Sequence, residues 1–147
     1  MSFKLFNLAW EEAPIVVIDV ETTGVVPGVD AAVQVALVRF EKRKVVGRFV
    51  SFVDPYRDIP VEVTVLHGIS NADVRGAPSA AAMFEFKRVR ELLAGAQPAA
   101  YNGPFDRHFV PPFGDDWTWP WIDALSVVRL VDRYVKGKGR HRLENAC

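Results

Sequence analysis

The stretch PIVVIDVETTGVVPG, Pro14 to Gly28, constrains this chain more than any other. Residues 15–20, IVVIDV, are β-branched and apolar on both faces, which predicts a central strand covered on two sides. Gly24, Pro27 and Gly28 then mark a turn over Thr22 to Gly28. Two acids, Asp19 and Glu21, interrupt this pattern. Side chains alternate faces along a strand, so the two point the same way, together with Ile15 and Val17. An ionised carboxylate facing a core is costly unless it is paired or binds a metal, and no Lys or Arg lies nearby in sequence. Two arrangements fit. Either the acids hold Mg²⁺ or Mn²⁺, hard cations that take oxygen ligands from carboxylates, water and phosphate, or the strand ends at Ile18 and both acids sit on a solvated turn. D-x-E is a common triplet, and spacing alone does not separate the two.

The rest of the chain reads as mixed α/β. A second strand is predicted over Ala32 to Phe40 and a third over 45–53, with the polar cluster EKRK (41–44) as a hairpin loop between them. Three consecutive strands with short links imply an antiparallel meander. PVEVTVLHGI (60–69) is either a short helix or an irregular segment. Ala77 to Ala94 predicts one helix, with Pro78 near its first turn, Gly95 just past its end, and Ala82, Phe86, Val89 and Leu93 on one face. QPAAYNG (97–103) predicts a short strand and turn, and PFDRHFV (104–110) a short helix stopped by the double proline 111–112. Asp123 is placed to cap a last long helix whose stripe is Ala124, Val127, Val128, Val131, Tyr134 and Val135. The expected fold class is α/β, with a partly antiparallel sheet and helices packed against it.

Composition limits the partners. The chain has 147 residues, about one domain, with 50% hydrophobic and 12% aromatic residues, which excludes disorder. Lys plus Arg is 18 and Asp plus Glu is 18, a formal net charge of zero. A polyanion partner would therefore be held by local basic patches or bound metal rather than by a bulk field. The lone cysteine, Cys147, permits no intrachain disulfide and fits a reducing cytoplasm. Neither a signal peptide nor a membrane span is legible, so a cytoplasmic protein without membrane contact is expected.

Three stretches carry a resemblance. DVETTG (19–24), after an apolar strand, resembles the first motif of the DEDD-type 3′–5′ exonucleases, in the branch that includes the proofreading subunit of bacterial DNA polymerase III. LHGISNADV (66–74) is similar to that branch's His-Gly-Ile segment, which helps line the pocket for the terminal nucleotide. AAYNGPFDRHFV (99–110) resembles its second motif, an Asn followed by a Phe-Asp pair, and WIDALSVVRL (121–130) the segment after it. The resemblance implies a ribonuclease H-like fold in a single domain over 1–147, with parallel strands following the meander. It implies that Asp19, Glu21 and Asp106 are three of four acids that bind two ions, Mg²⁺ or Mn²⁺, ~4 Å apart. It further implies hydrolysis at a single-stranded DNA or RNA 3′ end, DNA favoured, with release of nucleoside monophosphates, and a DNA polymerase subunit as a possible partner. The backbone of Thr22, Thr23 and Gly24 would approach the terminal sugar and base, with Gly24 leaving room. His67, Asn102 and Phe105 would line the pocket; the alternative for Phe105 is a core anchor, and for His67 a polar residue holding a turn.

The sequence also departs from the family. Tyr101 stands where many relatives carry His, and Gly103 where a small Ala is usual. The third motif, a general-base His and a fourth acid, is not found. His141 is followed five residues later by Ala146 rather than Asp, and His108 reads as a surface or helix-packing residue. HRLENAC (141–147) resembles the segment that precedes the missing motif. Three explanations are open: a shortened piece of a longer exonuclease, a natural short form that binds without catalysis, or a site completed by a partner chain. The helix begun at LENAC favours the first. Loss of the base alone typically costs about 10²–10⁴-fold in rate, so these 147 residues are expected to be inactive or nearly so. A catalytically dead module that binds nucleic acid or a polymerase is the rival function. The basic run KGKGRHR (136–142) is either a phosphate-holding rim or a solvated loop, and WTWPW (117–121) either a base-stacking cluster or a packed corner.

Overall fold

The computed structural model describes residues 12–111 and 120–131. A five-stranded mixed sheet forms in the order β3-β2-β1-β4-β5. Its strands are β1 (Ile15–Thr22), β2 (Ala32–Glu41), β3 (Lys44–Phe52), β4 (Gln97–Ala100) and β5 (Ile122–Asp123). β1 and β2 pair antiparallel, as do β2 and β3, while β4 joins β1 in parallel and β5 joins β4 in parallel. This is the expected meander followed by parallel strands. The helices are α1 (Val61–His67), α2 (Asn71–Val74), α3 (Ala80–Phe84), α4 (Lys87–Leu93), α5 (Gly103–Phe109) and α6 (Ala124–Val131).

One face of the meander carries the core. Val16, Ile18 and Val20 of β1 and Val35 and Leu37 of β2 are buried in one cluster with Met83, Phe84, Val89, Leu92 and Phe109. The expectation that β1 is covered on both faces is corrected among the described residues. Its alternate residues face the open side, where Val17 is 36% exposed and Asp19 is exposed. An apolar run does not reveal how many layers cover it, because an exposed valine costs little.

The helix expected over 77–94 is two helices. Phe86 sits between them with φ −61° and ψ 132°, an extended conformation. Successive helical residues turn about 100°, so in one straight helix Met83 and Phe84 would point well away from Val89 and Leu93. The break lets both groups enter the same core, and it leaves Phe86 43% exposed while Phe84 is 2% exposed. No Gly or Pro marks the break in the sequence. Arg39, from β2, holds the second helix down. Its Nη1 donates to the carbonyls of Leu92 (2.7 Å) and Ala94 (2.8 Å), and its Nε pairs with Glu41 (2.8 Å), satisfying carbonyls that a helix end leaves orphaned.

Segment 60–69 resolves as helix despite its β-branched residues. The Pro60 carbonyl accepts from the N–H groups of Val63 and Thr64, and Gly68 ends the helix at φ 80°. The hairpin loop is shorter than EKRK: Glu41 and Lys44 pair, leaving a two-residue turn at Lys42-Arg43. Asp123 is the last residue of β5, not only a cap, and accepts from the Ser126 hydroxyl in α6. On α6, Leu125 is buried and Val128 half-buried, whereas Val127, placed in the expected stripe, is 55% exposed. Tyr134, Val135, the basic run 136–142, His141 and residues 117–119 of the aromatic cluster lie outside the described residues. Trp121 of that cluster packs against the core. Among the described residues no helix is long and apolar enough to cross a membrane.

Two aromatic truncations test the helix break. Phe84→Ala should destabilise by about 3–5 kcal/mol and Phe86→Ala by under ~1 kcal/mol in urea unfolding. A continuous helix would bury Phe86 and reverse that order.

Candidate active site

The site arises where β4 stops. β1 pairs with β2 along its whole length, so the strand runs through both acids to Thr22, and the reading that it ends at Ile18 is excluded. β4 pairs with β1 only from Ile15↔Gln97 to Val17↔Ala99. The chain then turns at Tyr101-Asn102 and enters α5, leaving the carboxyl half of β1 without a strand on that side. The N–H of Val20 opens onto this gap. Asp106 Oδ1, from α5, accepts it at 3.2 Å across a sequence separation of 86 residues.

Asp106 is 5% exposed. Its carboxyl is pushed up to about 7, first by burial and next by the charge of Asp19, with a smaller push from Glu21. Hydrogen bonds from the Val20 N–H and from its own N–H oppose these. Partial burial of its carboxyl raises Asp19 as well, although the residue as a whole is exposed. Burial raises the Glu21 carboxyl and Asp19 adds to it, while the nearby His67 ring offsets part. The three acids therefore repel one another in a partly dry setting. Among the described residues no Lys or Arg forms an ion pair with any of them. This is a set of hard oxygen donors with excess negative charge, the chemistry that suits Mg²⁺ or Mn²⁺. As placed, however, no three His, Cys, Asp or Glu side chains among the described residues are arranged to hold one ion jointly.

The turn after β1 is built on Asp30. Thr23 Oγ1 donates to Asp30 Oδ1 (3.0 Å), and the Val26 N–H donates to Oδ2 (2.8 Å). A Cβ on Gly24 would stand 2.4 Å from Asp30 Oδ2, so this glycine is required by the carboxylate packed under it. The expected role of Gly24, room for a sugar, thus has a second cause that the sequence did not reveal. Asp30, closing its own loop through i−4 and i−7 bonds, is the site residue missed; an Asp at a turn end is the signal that was available. Thr22 and Thr23 are buried, and their hydroxyls bond within the loop.

His67 ends α1 and ties it to β1. The Ile69 N–H donates to Nδ1 at 3.0 Å, so Nδ1 is the unprotonated nitrogen. Nε2 then carries the proton and donates to the Thr22 carbonyl at 3.3 Å. Asn102 is exposed at the head of α5, and its side chain makes no capping bond. Phe105 packs against the core and lies 4.9 Å, centroid to centroid, from Phe109. His108 is exposed and lines a pocket with Arg107, Trp121 and Asp123 on the β5 side of α5, away from Asp106. Asp123 Oδ1 also accepts from the Gly103 N–H (3.2 Å), which pins the start of α5 to β5.

Comparison with known proteins adds three findings. The RNase_T exonuclease family model matches residues 16–147. A DNA polymerase III subunit epsilon-like protein of Rhodobacter capsulatus is 41% identical over 123 residues, 79% of this chain and 17% of its own length. A 3′-5′ exonuclease DinG of Bacillus subtilis is 41% identical over 96 residues, 65% of this chain and 10% of its own length. This chain therefore spans a small part of the relatives it matches. Among solved structures, exonuclease X in complex with 5′ overhanging duplex DNA superposes with a TM-score of 0.68 at 24% identity, covering 83% of this chain and 66% of that one. That likeness shows the fold.

The raised Asp106 carboxyl sets a sign for pH dependence. A folded-state pKa above the unfolded value means that the folded state holds the proton more tightly. Stability is then greatest at low pH and is lost as pH rises from about 4 towards 7. In chelator, the wild type should lose urea resistance between pH 5 and pH 8, and Asp106→Asn, which cannot ionise, should flatten that slope. Separately, Gly24→Ala should destabilise by about 1–3 kcal/mol through the clash with Asp30. Asp30→Ala in the same chain should remove most of that increment, which a double-mutant cycle would read.

Proposed function

This chain belongs to the RNase_T exonuclease family, and from that membership we propose that it is a metal-dependent 3′–5′ exonuclease domain. It releases nucleoside monophosphates from the 3′ end of a single strand, DNA in preference to RNA. The observation that carries the reading is Asp106: a helix far along the chain delivers a buried carboxylate to the same strand end as Asp19 and Glu21 and raises its pKa against theirs. Acids crowded this way, with no described Lys or Arg to neutralise them, are what a divalent-ion site looks like before the ion arrives.

Asp19, Glu21 and Asp106 would hold Mg²⁺ or Mn²⁺, two ions in the complete site. Bound there, the ions supply a readily deprotonated water and stabilise the charge on the leaving 3′ oxygen. The chain's own groups set the frame. The Val20 N–H fixes the Asp106 carboxylate against β1. His67 Nε2–H holds the Thr22 carbonyl, which keeps the backbone of Thr22, Thr23 and Gly24 in place for the terminal sugar and base. Asn102, at the head of α5, and Phe105 within it would line the pocket for the terminal nucleotide. Within the 147 residues no His is followed five residues on by an acid after Asp106. This polypeptide alone is accordingly proposed to turn over slowly or not at all. A DNA polymerase subunit is the proposed protein partner, since a relative is named for one.

The test has two readouts. At pH 8 Mn²⁺ should raise the unfolding midpoint of the wild type, and Asp19→Ala or Asp106→Ala should lose at least about tenfold in Mn²⁺ affinity. A 5′-labelled single strand should then shorten from its 3′ end in Mn²⁺, slowly, and not at all with either variant. If Mn²⁺ fails to stabilise the wild type, the metal-centred reading is overturned. If the strand binds equally well to Asp19→Ala, a binding module of the same fold replaces it.

A further inference from the structure

The formal net charge of zero conceals a polar distribution. Asp19 and Glu21 stand at the end of the sheet where β1 finishes, with Asp54 just past the end of β3 and Arg57 bonded to the Val29 carbonyl nearby. The opposite end is basic. Lys42 and Lys44, on the β2–β3 hairpin beside Glu41, are exposed there, and Arg48 is exposed further in along the edge strand β3, across from Val38. None of the three forms an ion pair among the described residues. Arg88 of α4 is apart from them, on the covered face of β3, where it pairs with Glu91 at 3.8 Å. It and Leu92 lie so close over Gly47 of β3 that a Cβ there would meet Leu92 at 2.5 Å and Arg88 at 2.9 Å.

A second observation concerns the turn itself. Lys42 and Arg43 have φ of 48° and 63°. Two left-handed residues in a two-residue hairpin make a type I′ turn, for which Asn-Gly is the relaxed choice. Long side chains disfavour this conformation. The hairpin therefore presents cationic residues at its tip where an uncharged pair would fold more easily. Strain kept at a surface position points to use of the surface.

We propose that this hairpin end is a phosphate-binding surface for the single strand upstream of the 3′ end that enters the acidic site. The inference rests on the nuclease reading above. Ala36 lies across from Asp19, and the six residues from there to Lys42 span ~20 Å of strand. A short oligomer thus fills the acidic site without reaching the hairpin, whereas a long one reaches both. The cations offset the repulsion that the acidic end exerts on a polyanion.

The experiment measures binding of an about 4-nucleotide and an about 16-nucleotide DNA strand, the span that single-strand folds cover. It uses the whole chain in Mn²⁺ at several salt concentrations. The double variant Lys42→Ala, Lys44→Ala should weaken the long strand about fivefold at low salt. It should also reduce the slope of log affinity against log salt by about 1.4, and leave the short strand unchanged. The pair Lys42→Asn, Arg43→Gly should raise the unfolding midpoint by about 2–4 °C while also weakening the long strand. An unchanged long strand, or equal loss for both lengths, overturns the proposal. Polyglutamate that competes as well as DNA at equal charge also overturns it, in favour of an acidic protein. If instead the short strand shows no binding that depends on Asp19, the nuclease reading is what fails.

Discussion

The hydrogen bond from the Val20 N–H to Asp106 joins the central strand to a helix that the chain reaches only much later. It exists because β4 is half as long as β1. Three of its four residues pair with the amino half of β1, and the carboxyl half is left with an unused donor. A buried backbone N–H is costly to leave unpaired, and a carboxylate is the stronger acceptor available. The start of α5 is held to the position that supplies it. The Gly103 N–H donates to Asp123, and the Leu125 N–H donates to the Tyr101 carbonyl. Sheet topology, rather than any local motif, thus decides where the third acid arrives.

Much of this was legible in residue patterns. Alternation along β1 placed Asp19 and Glu21 on one side, and the strand register agrees. The meander followed from short polar links between β-branched runs. Spacing alone could not say which face of β1 is covered, because Val16 and Val17 look alike in a sequence and differ only in what packs over them. The break at Phe86 was invisible for a related reason. It is imposed by the core, which draws in Met83, Phe84 and Val89 together, and no helix-breaking residue announces it. β5 is two residues long, too short for any periodicity to register. Gly24 was noticed, but its cause lies six residues on in Asp30, a contact that only the folded loop creates.

Composition misled in one respect. Equal numbers of acids and bases suggest a neutral surface, yet the fold sets Asp19 and Glu21 at one end of the sheet and Lys42 and Lys44 at the other. Antiparallel pairing is what does this: the end of β1 meets the start of β2, and the β2–β3 hairpin lies at the far end. Any charge on that hairpin is separated from Asp19 and Glu21 by most of a strand's length. Screening over about a Debye length of ~8–10 Å then leaves the two ends nearly independent in their local fields.

The same sheet divides its labour by face and by end. The covered face, with Ile18, Leu37, Phe84 and Val89 nearly inaccessible, supplies the stability. The carboxyl end of β1 gives some of it back, because Asp106 is buried and then crowded by Asp19, so that its proton is held up to about neutral pH. The hairpin gives back more, through two left-handed residues that are not glycine. The first loss is electrostatic and of a kind that a divalent cation relieves, whereas the second is steric strain of the backbone. A protein that gained nothing from ligand at either place could replace Asp106 with Asn and Lys42-Arg43 with Asn-Gly and be more stable at neutral pH. These two departures from the most stable sequence coincide with the two surfaces proposed to meet ligand.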